Sequence, residues 1–194
     1  MAASEPLSHF VDDLLGYLHE THPTYATLDG VHTHDDLLED LSRPALEDET
    51  RALSGYLRRL SDIDVDPLPV TERLEHKMLA ANLRGRMFEL EDVRTWERNP
   101  QFYADILASS VAGQALFTYA PAPERARRVL SKLRQAPRLV QAARDNIKEP
   151  PGIFVKVGVE TLRGALKFIE ELSSFGGPKS RPWVSSFPFP RGPR

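Results

Sequence analysis

Two histidines two apart, followed by two carboxylates, make His32-Thr33-His34-Asp35-Asp36 the one cluster of metal-ligating residue types in the chain. On an extended segment, His32 and His34 could share one ion, with Asp35 as a third ligand. The same residues suit a polar loop in which Gly30 permits the turn and the aspartates cap a short helix. The pattern favours the loop, so His32, His34 and Asp35 stand as candidates and no metal ligand is assigned. A second set, His19, Glu20 and His22, has acid–base types. It falls at a predicted helix C-terminus, where the backbone dipole favours histidine without any catalytic role.

His76 shares a predicted helix face with Leu79 and Leu83 and is expected to be packed and hydrogen-bonded. The polar and aromatic run Arg94-Thr95-Trp96-Glu97-Arg98-Asn99-Pro100 could line a substrate cleft. It reads better as a linker whose Trp96 plugs the core and whose Asn99 caps the next helix. No Ser/His/Asp nucleophile arrangement, phosphate loop or dinucleotide fingerprint is present. No catalytic and no cofactor-binding residue is therefore assigned.

The elements that must position these residues are helical. Helix is predicted from about residue 5 to 21, with Ser4 as cap and Leu7, Phe10, Val11, Leu14 and Leu18 on one stripe. Pro23 ends it. Residues 22–42 form an irregular connection with room for one turn near Tyr25 to Leu28. A second long helix begins at Pro44 after Ser42, carries Leu46, Leu53, Leu57 and Leu60, and stops near Asp62.

The third, capped by Thr71 and reaching about Val93, is apolar on two opposed faces. Leu74, Met78, Ala81 and Phe88 lie on one face, and Leu79, Leu83, Met87 and Leu90 on the other. Such a helix belongs between two layers. Asn99-Pro100 opens a fourth. Pro121 and Pro123 precede a fifth over 124–136, and Pro137 begins or kinks the next. The last, about 153–173, bears Val155, Val159, Leu162, Leu166 and Ile169, with Phe154, Ala165, Phe168 and Leu172 beside them. About half its circumference is apolar, which calls for a broad partner.

The expectation is an all-α bundle of about six or seven helices over residues 1–175, followed by a Pro- and Arg-rich tail, 176–194. The tail has no acidic residue, no leucine and no alanine, and is expected to be disordered. Its Lys179, Arg181, Arg191 and Arg194 stand among Trp183, Phe187 and Phe189. They could meet nucleic acid or a proline-recognising module, though a solvated tail is the simpler expectation.

Composition narrows the function classes. The 194 residues suit one domain, 41% of them apolar and 27% charged, the balance of a globular protein. A net charge of −3 gives no strong field for nucleic acid or an anionic membrane. Without cysteine there is no disulfide framework, thiol nucleophile or Cys-type zinc site. The N-terminus has no signal-peptide pattern and no apolar stretch reaches membrane length, so a cytoplasmic protein is expected.

Three segments, HPTYATLDGVHTHDDLLEDLS, FELEDVRTWERNPQFYADIL and ARDNIKEPPGIFVKVGVETLRG, occur in that order. Together they resemble the bacterial family known as domain of unknown function 885, over residues from about 8 to 175. Members of that family resemble zinc-dependent peptidases. They are longer helical chains with a His-Glu-x-x-His helix and a downstream glutamate in the C-terminal half. Two histidines four apart on a helix face hold one zinc, and the glutamate deprotonates the water bound to it.

This chain stops short of that helix. Its nearest look-alike, His19-Glu20-Thr21-His22, has the wrong spacing and runs into Pro23. The resemblance thus implies an N-terminal helical portion of a metallopeptidase-like protein, truncated and inactive alone. Zinc and a peptide substrate are implied only for a full-length relative. The implied partner is the missing C-terminal half, or a protein at the apolar face of the last helix. A stand-alone helical interaction module is the alternative, and a small-molecule-binding bundle a third. The family also favours the loop reading of His32 to Asp35, since it keeps a His-then-Asp pattern there apart from its zinc site.

Overall fold

The computed structural model describes residues 5–173. The expected cap Ser4 and the expected disordered tail, 176–194, lie outside the described residues. Among those described there is no strand. The elements are α1 (Glu5–Thr21), α2 (Pro23–Leu28), α3 (Arg43–Ser61), α4 (Val70–Phe88) with a π-helical extension (Glu89–Val93), α5 (Thr95–Arg98), α6 (Pro100–Leu116), α7 (Ala122–Asn146) and α8 (Gly152–Ser173). None of these helices is long and apolar enough to cross a membrane.

Prolines set several starts. Pro23 ends α1 and also opens α2 in its first turn, where its missing N–H costs nothing. Pro100 does the same for α6, and the Asn99 side chain accepts the Gln101 N–H at 3.0 Å. Thr71 is not a cap: α4 starts one residue earlier, with Pro69 at the N-cap position. α7 runs unbroken from Ala122 to Asn146 with Pro137 inside it, so 122–146 is one helix rather than two. The ring removes one backbone donor there without ending the helix.

Two cores result. Leu7, Phe10 and Leu14 of α1 meet Leu53 and Leu60 of α3 and Ala80 and Leu83 of α4. Leu46 of α3 joins Leu38, Leu41, Trp96, Tyr103, Ile106 and Leu139 in the second. The leucine stripe of α3 therefore ties the two cores together. Each fully buried leucine contributes about 1.5–3 kcal/mol of transfer free energy.

α6 is the hub, touching α2, α5, α7 and α8. It is apolar or small on all sides, as a helix surrounded by others should be. Gly113 lets α2 cross it closely: a Cβ there would stand 3.3 Å from Thr27 Cγ2.

Two sequence expectations about apolar faces differ in outcome. On α4, Leu83 is buried and Leu79 and Met87 pack against the first core, but Leu74, Met78 and Phe88 face solvent. Only one of its two apolar faces is covered within the described residues. On α8, Ala165 and Phe168 are buried and Gly158 sits against α6, whereas Val155, Val159, Leu162 and Leu166 are exposed.

Candidate functional site

The residues singled out by type gather in the segment between α2 and α3. Gly30, at φ 83°, turns the chain after α2. Asp35 then points inward and is 1% exposed. Its Oδ1 accepts the Thr27 hydroxyl proton, and its Oδ2 meets both His32 Nδ1, at 3.0 Å, and Arg128 Nη1 of α7. The ring of Tyr119 stacks on His32, with centroids 3.6 Å apart and planes 10° from parallel. The Tyr119 hydroxyl donates to Gln114 Oε1 and accepts from Arg128 Nη1 at 3.2 Å. Gln114 Nε2 in turn reaches Thr27 Oγ1 at 3.3 Å.

Burial alone would push the Asp35 carboxyl up. The Thr27 hydrogen bond and the polar groups of Tyr119 and Gln114 beside it, with the charge of His32, outweigh it and hold the carboxyl below its ordinary range. An ionised carboxylate can only accept, so His32 Nδ1 is the donor in this contact. Tyr119 is pushed up to about 12, first by burial and then by the Asp35 carboxylate beside it.

A ladder continues from this cluster along α7. Lys132, fully buried, donates from Nζ to Leu37 O at 2.8 Å. Gln135 accepts from Leu38 N at 3.1 Å and donates to Asp36 O at 2.7 Å. Arg138 reaches Leu38 O at 2.8 Å and Asn146 reaches Leu41 O at 2.6 Å. Residues 128, 132, 135, 139, 142 and 146 follow a 4-3-4-3-4 spacing, which places them on one helix face. That face reads the irregular backbone of residues 36–41, which follows a turn closed by Leu37 N on His34 O at 3.0 Å and belongs to no helix or strand. Glu39, also buried, closes the other side by accepting Thr24 N and Thr24 Oγ1, each at 2.8 Å. Burial lowers the Lys132 ammonium, with Glu39, Asp35 and Asp36 opposing that shift.

The structure thus brings His32 and Asp35 together, with Arg128 rather than His34 completing the set. The guanidinium balances the carboxylate, and both of its oxygens are engaged. Among the described residues no group of three or more His, Cys, Asp or Glu side chains is placed to hold a metal ion. What the arrangement does chemically is fix the 29–41 segment against α6 and α7.

The other candidates have structural partners too. His19 lies 3.4 Å from Asp29 and His22 2.8 Å from Glu49. His76 Nε2 reaches Leu60 O at 2.8 Å, the packed and bonded histidine that its helix face implied. Trp96 is buried and donates to Leu90 O at 2.9 Å, between the guanidinium groups of Arg43 and Arg94 at 4.8 and 5.0 Å from its ring. Glu97 gathers Arg94 at 2.6 Å, Lys148 at 2.9 Å and Arg43 at 3.9 Å. The α7 ladder was not anticipated. Its signal was a line of long polar side chains on the same face as Leu139 and Ala142.

The family model described as bacterial protein of unknown function (DUF885) matches residues 23–183. No curated protein matches the chain. Among solved structures, a Shewanella oneidensis protein described as a "putative lipoprotein of unknown function" superposes with a TM-score of 0.77 at 22% identity. The match covers 92% of this chain and 33% of that one, so the chain spans about a third of that structure's length. At this identity the likeness shows the fold.

Proposed function

The chain belongs to the bacterial DUF885 family of proteins of unknown function, and from that membership we propose that it is the N-terminal helical portion of a metallopeptidase-like protein. In the whole assembly it forms one wall of a cleft, and the zinc chemistry resides outside these 194 residues. Its 194 residues hold no His-Glu-x-x-His pair. The observation that carries the reading is the uncovered stripe of α8. Val155, Val159, Leu162 and Leu166 are between 39% and 60% exposed on a helix whose other apolar face is docked on α6. A contiguous apolar strip of this kind marks an interaction surface, and a relative three times as long supplies the material to cover it.

The test uses the isolated chain. It should hold no stoichiometric zinc and show no chelator-sensitive peptide hydrolysis. Leu162→Glu with Leu166→Glu should reduce binding of an apolar dye without lowering the melting temperature, leaving only what the rest of the surface binds. Bound zinc together with hydrolysis abolished by chelation would overturn the proposal. The second reading, a stand-alone interaction module, rests on the same α8 strip. It gains ground if the strip recruits a protein outside this family.

A further inference from the structure

A groove of roughly 510 Å3 lies between α1 and α4. α1 packs antiparallel to α3: Tyr56 and Arg59 bond to Asp13, while His22 at the far end of α1 meets Glu49. α4 is also antiparallel to α3, with His76 near its start on Leu60 O and its π extension touching α3 again at the other end. α1 and α4 therefore run parallel, both seated on α3, and meet through side chains in the first core while their backbones stay apart. The trough between them has a floor of Leu14, Leu18 and Leu79, and a wall in which Leu74 and Met78 are 58% and 64% exposed. Three helices arranged this way leave one corner of a four-helix bundle open.

The charges along the groove are not equivalent. His19 and His22 are engaged by Asp29 and Glu49. On α4, Glu75 lies towards the start of the groove and Arg86 towards its end. Arg86 gives its Nε to Asn82 Oδ1 at 3.3 Å, and both residues line the groove. Eleven residues of helix put these two charges about 16 Å apart, three turns. A carboxylate beside the apolar stretch disfavours a buried acyl chain, but it suits a helix that carries a lysine there.

The geometry points to this groove as the docking slot for one amphipathic α-helix from another polypeptide segment, running antiparallel to α1 and α4. Its apolar residues follow a 3-4 repeat, its acidic first turn faces Arg86, and its basic last turn faces Glu75. That charge order is also the one a helix dipole favours in the partner itself. The slot shares no residue with the α8 strip and does not depend on the partner proposed for it.

The experiment titrates the full chain, by fluorescence anisotropy, with a synthetic amphipathic peptide. The peptide is about 18 residues long, enough to be helical, with leucines in a 3-4 repeat, glutamates in the first turn and lysines in the last. An isomer with the glutamates and lysines exchanged is the control. The first peptide should bind saturably and the isomer about tenfold more weakly, the effect of two rim ion pairs. Met78→Glu, at an exposed site, should abolish binding with the circular-dichroism melt unchanged. Arg86→Glu should narrow or reverse the preference between the two peptides. Equal affinity for both peptides, or binding indifferent to Met78→Glu, would sink the inference. So would displacement of a groove-bound dye by dodecanoate but by neither peptide. If Leu162→Glu rather than Met78→Glu removes binding, the peptide sits on α8: the slot fails and the α8 reading stands.

Discussion

Gly158 of α8 lies so close to the start of α6 that a Cβ on it would stand 3.1 Å from the backbone nitrogen of Gln101 and 3.3 Å from its Cα. Backbone cannot swing aside as a flexible side-chain tip does, so the contact sets how deeply α8 seats. Gly164, on the same helix, would meet nothing within 4 Å. The two glycines should respond with opposite signs. Gly164→Ala should stabilise by up to about 1 kcal/mol through helix propensity. Gly158→Ala makes the same gain but incurs an overpacking cost of about 1–3 kcal/mol, so its net effect is a loss. Urea midpoints of the two variants would show it, and Gly158→Val should lose more.

Asp35 and Arg128 form a pair buried on one side, and each has further partners that depend on it. Removing one member leaves the other charge uncompensated, a loss of about 3–5 kcal/mol. Arg128 is 23% exposed in its side chain, so solvent places the loss near the lower end. Asp35→Ala and Arg128→Met should each lower the midpoint strongly, and the double variant should lose less than their sum. A strictly additive double-mutant cycle would show that the two do not cooperate.

Acid should unfold the protein through the same carboxylates. Asp35 is held below its ordinary range. Burial raises Asp40, but the Ser42 amide and hydroxyl and the charge of Arg138 outweigh it and the net shift is downward. Glu97 is lowered first by its bond to Lys148, with burial opposing and Arg94 adding. Groups lowered on folding bind protons more readily in the unfolded chain. Their stabilisation is complete above the unfolded carboxylate values, about pH 4, and disappears as pH falls through the lower folded values. Asp105 works in the opposite direction: burial raises it, so its contribution improves as pH drops. Three against one predicts a net loss of stability below about pH 4. Asp35→Asn should flatten that slope, measured as melting temperature against pH.

The helices were legible because their cause is local. The stripe Leu7, Phe10, Leu14 and the Asn99-Pro100 start signal each need only a few neighbouring residues, and both are found in place. The continuity of α7 through Pro137 was not legible, because tertiary packing of Leu139 and Ala142 outweighs the one donor lost to the ring. The Asp35 cluster was only half visible. Its His-Asp half lies within four residues of sequence, but Arg128 and Lys132 arrive from about a hundred residues away. No periodicity in residues 29–41 announces that partner. The second apolar face of α4 was read correctly as apolar, yet the described residues contain nothing that covers Leu74 and Met78. Sequence pattern tells which surface wants burial, not which chain buries it.

Tyr103 offers the cleanest measure of how much a polar contact in the second core contributes. Its hydroxyl donates to Trp96 O at 2.6 Å and accepts from Asn146 Nδ2 at 3.1 Å, while the same Asn146 amide holds Leu41 O. Burial raises the phenol's pKa, with the Asn146 bond opposing, so the group stays neutral and able to donate. Tyr103→Phe keeps the ring but leaves the Trp96 carbonyl and one Asn146 N–H without partners in a dry site. The expected loss is about 1–3 kcal/mol. Tyr56 is the internal control, because its hydroxyl reaches Asp13 O at 3.2 Å in an exposed position. Water replaces that bond, so Tyr56→Phe should cost well under about 1 kcal/mol. Equal midpoints for the two variants would mean that the Tyr103 network orders the Leu41 and Trp96 backbone without stabilising it.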